Sequence, residues 1–216
     1  MTGIQGKRVG RPSSGKTAAR RAQLAESALM TLGELGYART SLRNIADNSD
    51  FSHGVVHYYF RDKTDLIAHG VRHYKTQCAT RYDEIIDTAT TSAELGHRFL
   101  DKLGETLVHD DAMHRLWYDL RNQSQFDEEL RRDVLEVNRL LEDMIWRILS
   151  RFAELRDQHV LVDRAVAYAT FDGLFQQALL AHFNGELTAA ADLKRQVVSL
   201  LAVLLGSEDD PGTVCK

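Results

Sequence analysis

An apolar stripe that holds for seven helical turns sets the fold class of this chain. Leu130, Val134, Val137, Leu141, Ile145, Ile148, Phe152 and Leu155 recur at spacings of three and four. That period returns each residue to one face of an α-helix. A helix from Gln125 to Leu155 would be about 45 Å long at 1.5 Å per residue. The only prolines are Pro12 and Pro211, so nothing between them breaks a helix by removing a backbone donor.

Shorter stripes fill the rest of the chain. Leu24, Ala28, Leu32 and Leu35 predict a first helix from about Thr17, stopped by Gly36. Ser41 is a good N-cap for a short second helix carrying Leu42, Ile45 and Ala46, ending near Asn48. Ser49-Asp50-Phe51-Ser52 has no stripe, and Ser52 can cap a third short helix from His53 to about Tyr59. Asp62 can cap a longer helix along Ile67, Val71, Tyr74 and Cys78, expected to reach about Ile86. Further helices are expected at about 93–108, from Asp111 through Met113, Leu116, Trp117 and Leu120, and at about 162–183 and 188–205. The expectation is an all-α protein of about nine helices, with no convincing strand and no internal repeat.

Charge divides the chain more sharply than its net value of −4 suggests. Lys7, Arg8, Arg11, Lys16, Arg20 and Arg21 lie in the first 25 residues with no acid among them, leaving −10 on the remainder. A basic arm on an acidic body suits a polyanion at one end of the molecule. The body itself, 44% apolar and 27% charged in 216 residues, has the composition of an ordinary globular protein with a real core. Cys78 and Cys215 form no CxxC pair, which favours a reducing, cytoplasmic setting. The N-terminus lacks the apolar centre of a secretory signal, and no run of 18 apolar residues would span a membrane.

Residues 10–17, GRPSSGKT, have the spelling of a phosphate-binding loop. Such a loop needs a buried strand before it and an acid on another strand to hold magnesium. The preceding IQGKRV is charged and glycine-containing, and no acid-bearing strand is in view. A nucleotide-binding enzyme is therefore the weaker alternative. Residues 1–16 read better as a flexible basic arm in which Gly10-Arg11-Pro12 resembles an AT-hook core, with Arg11 placed to enter a minor groove.

Two short helices joined by a tight turn on a longer first helix form a helix-turn-helix. Residues 37–67, YARTSLRNIADNSDFSHGVVHYYFRDKTDLI, carry Thr40-Ser41, Ile45-Ala46, Ser52, Gly54, Tyr59-Phe60, Lys63 and Asp65-Leu66-Ile67 in register. This segment resembles the DNA-binding domain of the TetR family of bacterial transcriptional regulators. The stretch LWYDLRNQSQFDEELRRDV is similar to the C-terminal domain of the subgroup that includes the choline-responsive regulator. Two features depart from the pattern. Asp50 stands where the turn often has glycine, a position aspartate can hold in a left-handed conformation. Val55-Val56-His57 replaces a common Thr-Leu-Tyr, which leaves the DNA contacts particular to this chain.

The resemblance and the physics together nominate functional residues. Arg43 and Asn44 can reach phosphate, while Ser52, His53, Gly54 and Val55 open the recognition helix where base edges are read. His57, Tyr58 and Lys63 are candidate phosphate contacts, and Phe60 is a core plug. Phe99, Leu103, Met113, Trp117, Tyr118, Arg121, Asn138, Phe171, Phe175 and Gln176 are candidates to line a small-molecule pocket. The last two helices carry more apolar surface than one buried face needs, so Gly173, Leu174, Ala178, Val197, Leu201 and Leu204 are expected at a dimer interface. His53/His57 and His69/His73 have metal-ligand spacing but no third ligand nearby, so neither metal nor cofactor is expected.

The expected organisation is an arm over 1–16, a helix-turn-helix domain over 17–62, a ligand-binding and dimerisation domain over 63–207, and a tail over 208–216. The expected protein is no enzyme. It is a homodimeric regulator that holds a palindromic operator in double-stranded DNA and is released by an unidentified small molecule. A constitutive regulator without a ligand is the alternative.

Overall fold

The structure, a computed structural model, describes residues 14–36 and 40–206. Helices dominate it: α1 (Ser14–Leu35), α2 (Leu42–Asp47), α3 (His53–Tyr59), α4 (Lys63–Thr80), α5 (Asp83–Thr88), α6 (Ser92–His109), α7 (Asp111–Gln123), α8 (Glu128–Arg156), α9 (Arg164–Phe183) and α10 (Ala189–Leu204). Arg11 and the rest of residues 1–13, and the tail with Cys215, lie outside the described residues.

Helix ends follow side-chain chemistry. Asp62 accepts the Asp65 backbone N–H at 2.8 Å, Thr91 that of Glu94 at 3.2 Å, and Asp127 that of Leu130 at 3.0 Å. Each satisfies a first-turn donor that the helix cannot. Gly36 ends α1 with φ +81°, a left-handed conformation natural to glycine. The 29-residue α8, about 44 Å at 1.5 Å per residue, buries its stripe from Leu130 to Phe152.

Four sequence expectations need correction. The helix expected to run from Lys63 to Ile86 breaks after Thr80 and restarts as α5, which makes ten helices among the described residues. No glycine or proline marks the break. Arg81 is drawn across to Asp110, 2.7 Å away, and to the Thr106 hydroxyl, while the Tyr82 ring is buried against Phe99. Second, two-residue strands β1 (His159–Val160) and β2 (Leu205–Gly206) pair antiparallel, tying the end of α10 to the α8–α9 connection. They are too short to leave a period in the sequence. Third, α1 begins at Ser14, so Gly15 and Lys16 belong to a helix and not to the arm. Fourth, Asp50 has no left-handed conformation: the turn is closed by Ser49, whose hydroxyl donates to the Ala46 carbonyl at 3.1 Å and accepts the Phe51 N–H at 3.2 Å.

The buried residues form two clusters. One joins α1–α4 to α7 and the first half of α8, around Leu24, Leu32, Ile45, Val56, Phe60, Leu66, Trp117 and Val134. The other fills the space among α6, the second half of α8, α9 and α10, around Phe99, Leu107, Ile148, Phe152, Leu193 and Val197. Tyr118, Met144 and Tyr168 pack against both. The helix-turn-helix therefore does not end at residue 62 as a packed unit, because α4 and α7 complete its core.

Candidate nucleic-acid interface and ligand cavity

The helix-turn-helix is built from small local rules. Ser41 and Asn44 form a capping box at α2: the Asn44 N–H donates to the Ser41 hydroxyl, and the Ser41 N–H donates back to Asn44 Oδ1 at 2.9 Å. Phe60, 1% exposed, plugs the space beneath α3 and lies under the Arg21 guanidinium, 4.9 Å from its ring centre. Val56 faces the same interior and is fully buried.

The opposite face of α3 is open. Ser52, His53, Gly54, His57 and Tyr58 are all exposed, and Tyr58 is 73% exposed despite its size. They form a continuous row at the first turn and beyond, since residues three and four apart are neighbours on a helix. His53 and His57 are linked Nε2 to Nε2 at 3.2 Å. The Ser52 hydroxyl makes no cap bond. Val55 is only half-exposed and packs partly on the core. Arg43 is exposed, with Asp47 3.9 Å away, whereas the Asn44 carbonyl oxygen is engaged by the capping box. Lys63 is partly buried at the start of α4, and that desolvation lowers its pKa.

A cavity opens at the seam between the two cores, with an empty volume of about 670 Å³ including its mouth. Of the nominated pocket residues, Leu103, Trp117, Tyr118, Phe171 and Phe175 line it. Phe99 lies one layer back, edge-on to Phe171 with ring centres 6.3 Å apart. Met113 packs toward the helix-turn-helix core. Arg121 stands behind the wall and holds Asp172 at 2.5 Å, and Asn138 accepts a hydrogen bond from the Tyr168 hydroxyl at 3.2 Å. Gln176 is exposed on the outer side of α9, so its nomination is corrected: the turn that points Phe175 inward points Gln176 out.

The sequence reading missed the polar wall. Lys75, Cys78 and Arg81 line the cavity from α4 and the turn after it, with Thr106, His114 and Asp172 opposite. Lys75 is 3% exposed and sits 3.2 Å from His114 Nδ1. Burial pushes its pKa down to about 8. Burial, and then the charge of Lys75, hold His114 well below the usual histidine range. Burial and the neighbouring Asp172 raise the Tyr118 and Tyr168 phenols, so both stay protonated donors. One signal could have found Lys75, which lies eight residues after Ile67 and four after Val71, on the apolar stripe itself.

The interface nominations also need correction. Ala178, Val197, Leu201 and Leu204 are all buried within this chain, and Val197 lines the cavity. Apolar residues run right round α9, so its inner and outer faces could not be told apart by composition. Exposed apolar positions lie elsewhere: Val166 and Leu180 on α9, and Val198 and Val203 on α10. Gly173 is exposed on α9 and Leu174 is half-buried.

Comparison with known proteins agrees with this geometry. The family of bacterial regulatory proteins described as the tetR family matches residues 24–69, from α1 into the second turn of α4. An HTH-type transcriptional regulator BetI from Burkholderia thailandensis is 26% identical over 193 residues, covering 88% of this chain and 97% of the relative. One from Paraburkholderia xenovorans is 39% identical over 62 residues, 29% of this chain and 32% of its own. Among solved structures, the transcriptional regulator FadR from Bacillus subtilis in complex with stearoyl-CoA has a TM-score of 0.68 at 21% identity, covering 83% of this chain and 96% of its own. A TetR transcription regulator from Haloarcula marismortui has a TM-score of 0.69 at 18% identity, covering 88% and 100%. The helix-turn-helix, its match to the family model and the whole-length relatives agree: residues 24–69 carry the DNA-binding segment of the tetR family of bacterial regulatory proteins, and the chain as a whole is similar to HTH-type transcriptional regulators.

Proposed function

We propose that the protein is a homodimeric repressor that holds a palindromic operator and is released by a small molecule bound in the seam cavity. The carrying observation is the position of that cavity. Its walls include α4 and α7, and both helices pack on α1 of the helix-turn-helix. Gly33 approaches Ala112 so closely that a Cβ on it would lie 2.9 Å from the Ala112 Cβ. The Arg115 guanidinium, one residue from His114, donates to the Gly33 carbonyl. A ligand that repositions α4 or α7 therefore displaces α1, and α3 with it. Operator affinity falls by the ligand's differential affinity for the two arrangements.

In the dimer, two α3 helices enter successive major grooves, which matches a palindrome to a two-fold axis. The exposed faces of α9 and α10 pair across that axis. His53 and Ser52 read base edges, and Arg43, His57 and Tyr58 hold phosphates. The basic arm, with Arg11, adds a minor-groove contact. Against the constitutive alternative stands the open cavity, since a domain that only dimerises has no need of one. Against the nucleotide enzyme stand β1 and β2, the only strands among the described residues and too short for a phosphate-loop sheet.

The test is selection of genomic fragments by the purified protein at near-physiological salt, followed by footprinting and retesting without residues 1–13. An enriched palindrome, protected on both half-sites and bound more weakly by the truncated protein, supports the proposal. Salt-labile binding with no enriched sequence refutes it.

A further inference from the structure

Lys75 poses a problem that the folded chain does not solve. Its ammonium donates to neutral His114 at Nδ1 and lies 5.5 Å from the ring centres of Tyr74 and Trp117. No carboxylate among the described residues pairs with it. The two nearby acids are committed elsewhere. Asp110 holds Arg81 at 2.7 Å, and Asp172 holds Arg121 at 2.5 Å while accepting the Tyr118 hydroxyl at 3.1 Å. Three cations against two acids leave one positive charge uncompensated, and it sits on the cavity wall. A buried charge without a partner is costly, and such groups are normally paired.

Two further donors wait at the same place. Trp117 Nε1 is buried with no hydrogen-bond partner. His114 accepts at Nδ1, so its proton is on Nε2, which makes no well-formed hydrogen bond although the Thr106 carbonyl is nearby. Leu141, Met144, Ile145, Phe171, Phe175 and Val197 supply an apolar floor. One cation and unfilled donors beside an apolar chamber are complementary to a small negative group on an apolar body.

We infer that the cavity takes an amphipathic monoanion, a carboxylate on an aliphatic or aromatic body, with the carboxylate on Lys75 and the body against Phe171 and Phe175. This rests on the reading of the cavity as the effector site and names the effector's class. A cation is disfavoured, because Lys75 repels it and Asp172 is already neutralised. Burial brings Lys75 to a pKa of about 8, so it is still mostly charged at neutral pH. Tyr74, Cys78, Arg81, Asp110, His114 and Asp172 surround it. Anion binding is therefore strongest below about pH 8 and weakens as the ammonium discharges above it.

The probes are octanoate, 1-octanol and octyltrimethylammonium, titrated by calorimetry into the full-length protein without DNA at about pH 7. Octanoate is expected to bind about tenfold or more tighter than the alcohol, and the cation weakest. Lys75→Met is expected to lose that preference for octanoate while leaving octanol binding unchanged, which separates lost charge from lost fold. Equal binding of acid and alcohol, tighter binding of the cation, an unaltered octanoate affinity in Lys75→Met, or no binding of octanoate overturns the inference. A separate operator-release assay tests the effector reading. Octanoate that binds through Lys75 without releasing DNA leaves the anion site standing and refutes its role as a trigger.

Discussion

Replacing Lys75 by methionine should make the protein more stable, although it removes a hydrogen bond. The gap between about 8 and the ordinary 10.5 is the measure of the strain. At about 1.4 kcal/mol per pKa unit, it corresponds to about 3 kcal/mol of penalty on the folded state when the amine is charged. Methionine keeps the length of the stem and the helix propensity without the charge. It also leaves His114 Nδ1 without its donor, a loss of about 1 kcal/mol. The net gain is about 2 kcal/mol at neutral pH, or roughly 6 °C in Tm for a chain of this size.

The pH dependence gives the stricter test. Below about pH 8, Lys75 is charged in both folded and unfolded chains, so the full penalty is present. Between about 8 and 10.5 the folded protein releases the proton while the unfolded chain keeps it, and the penalty fades. The advantage of Lys75→Met should therefore be whole at about pH 7 and gone by about pH 10.5. Urea denaturation of both proteins, at matched concentration because of the proposed dimer, reads this difference directly. A variant no more stable than the parent at neutral pH, with a difference flat up to pH 10.5, would refute the reasoning.

Three other perturbations follow from the same structure. Phe60→Ala should cost about 3–5 kcal/mol in chemical denaturation, because the plug beneath α3 has no replacement. Gly33→Val should force α1 and α7 apart against Ala112, lowering stability by about 1–3 kcal/mol and weakening operator binding, both measurable on one preparation. Val198→Glu, placing a charge on the outer face of α10, should give monomers in sedimentation equilibrium while the helical circular dichroism is retained.

Much of the fold was legible because its signals are local. The stripe from Leu130 to Phe152, the Ser41 and Asp62 caps and the Gly36 stop each act within a few residues, and together they outline the helix-turn-helix. What was hidden depends on distant partners. The break after Thr80 is enforced by Asp110 and Phe99, which lie far along the chain. Lys75 reads as a solvated lysine unless its place on the stripe is noticed, since long side chains usually carry their charge to water. Four interface nominations fell on buried residues because α9 and α10 are apolar on two sides, and only three-dimensional packing assigns Val197 inward and Val198 outward.

The most direct test of the central claim is operator discrimination by α3. The selected operator duplex and a scrambled duplex of equal length would be titrated by fluorescence anisotropy with the parent protein and with a His53→Ala/His57→Ala variant. The parent should prefer the operator by about a thousandfold or more, and the variant should lose most of that preference while keeping its salt-sensitive binding to any duplex. Equal binding of both duplexes by the parent, or undiminished discrimination by the variant, would contradict the assignment of this helix face to DNA recognition.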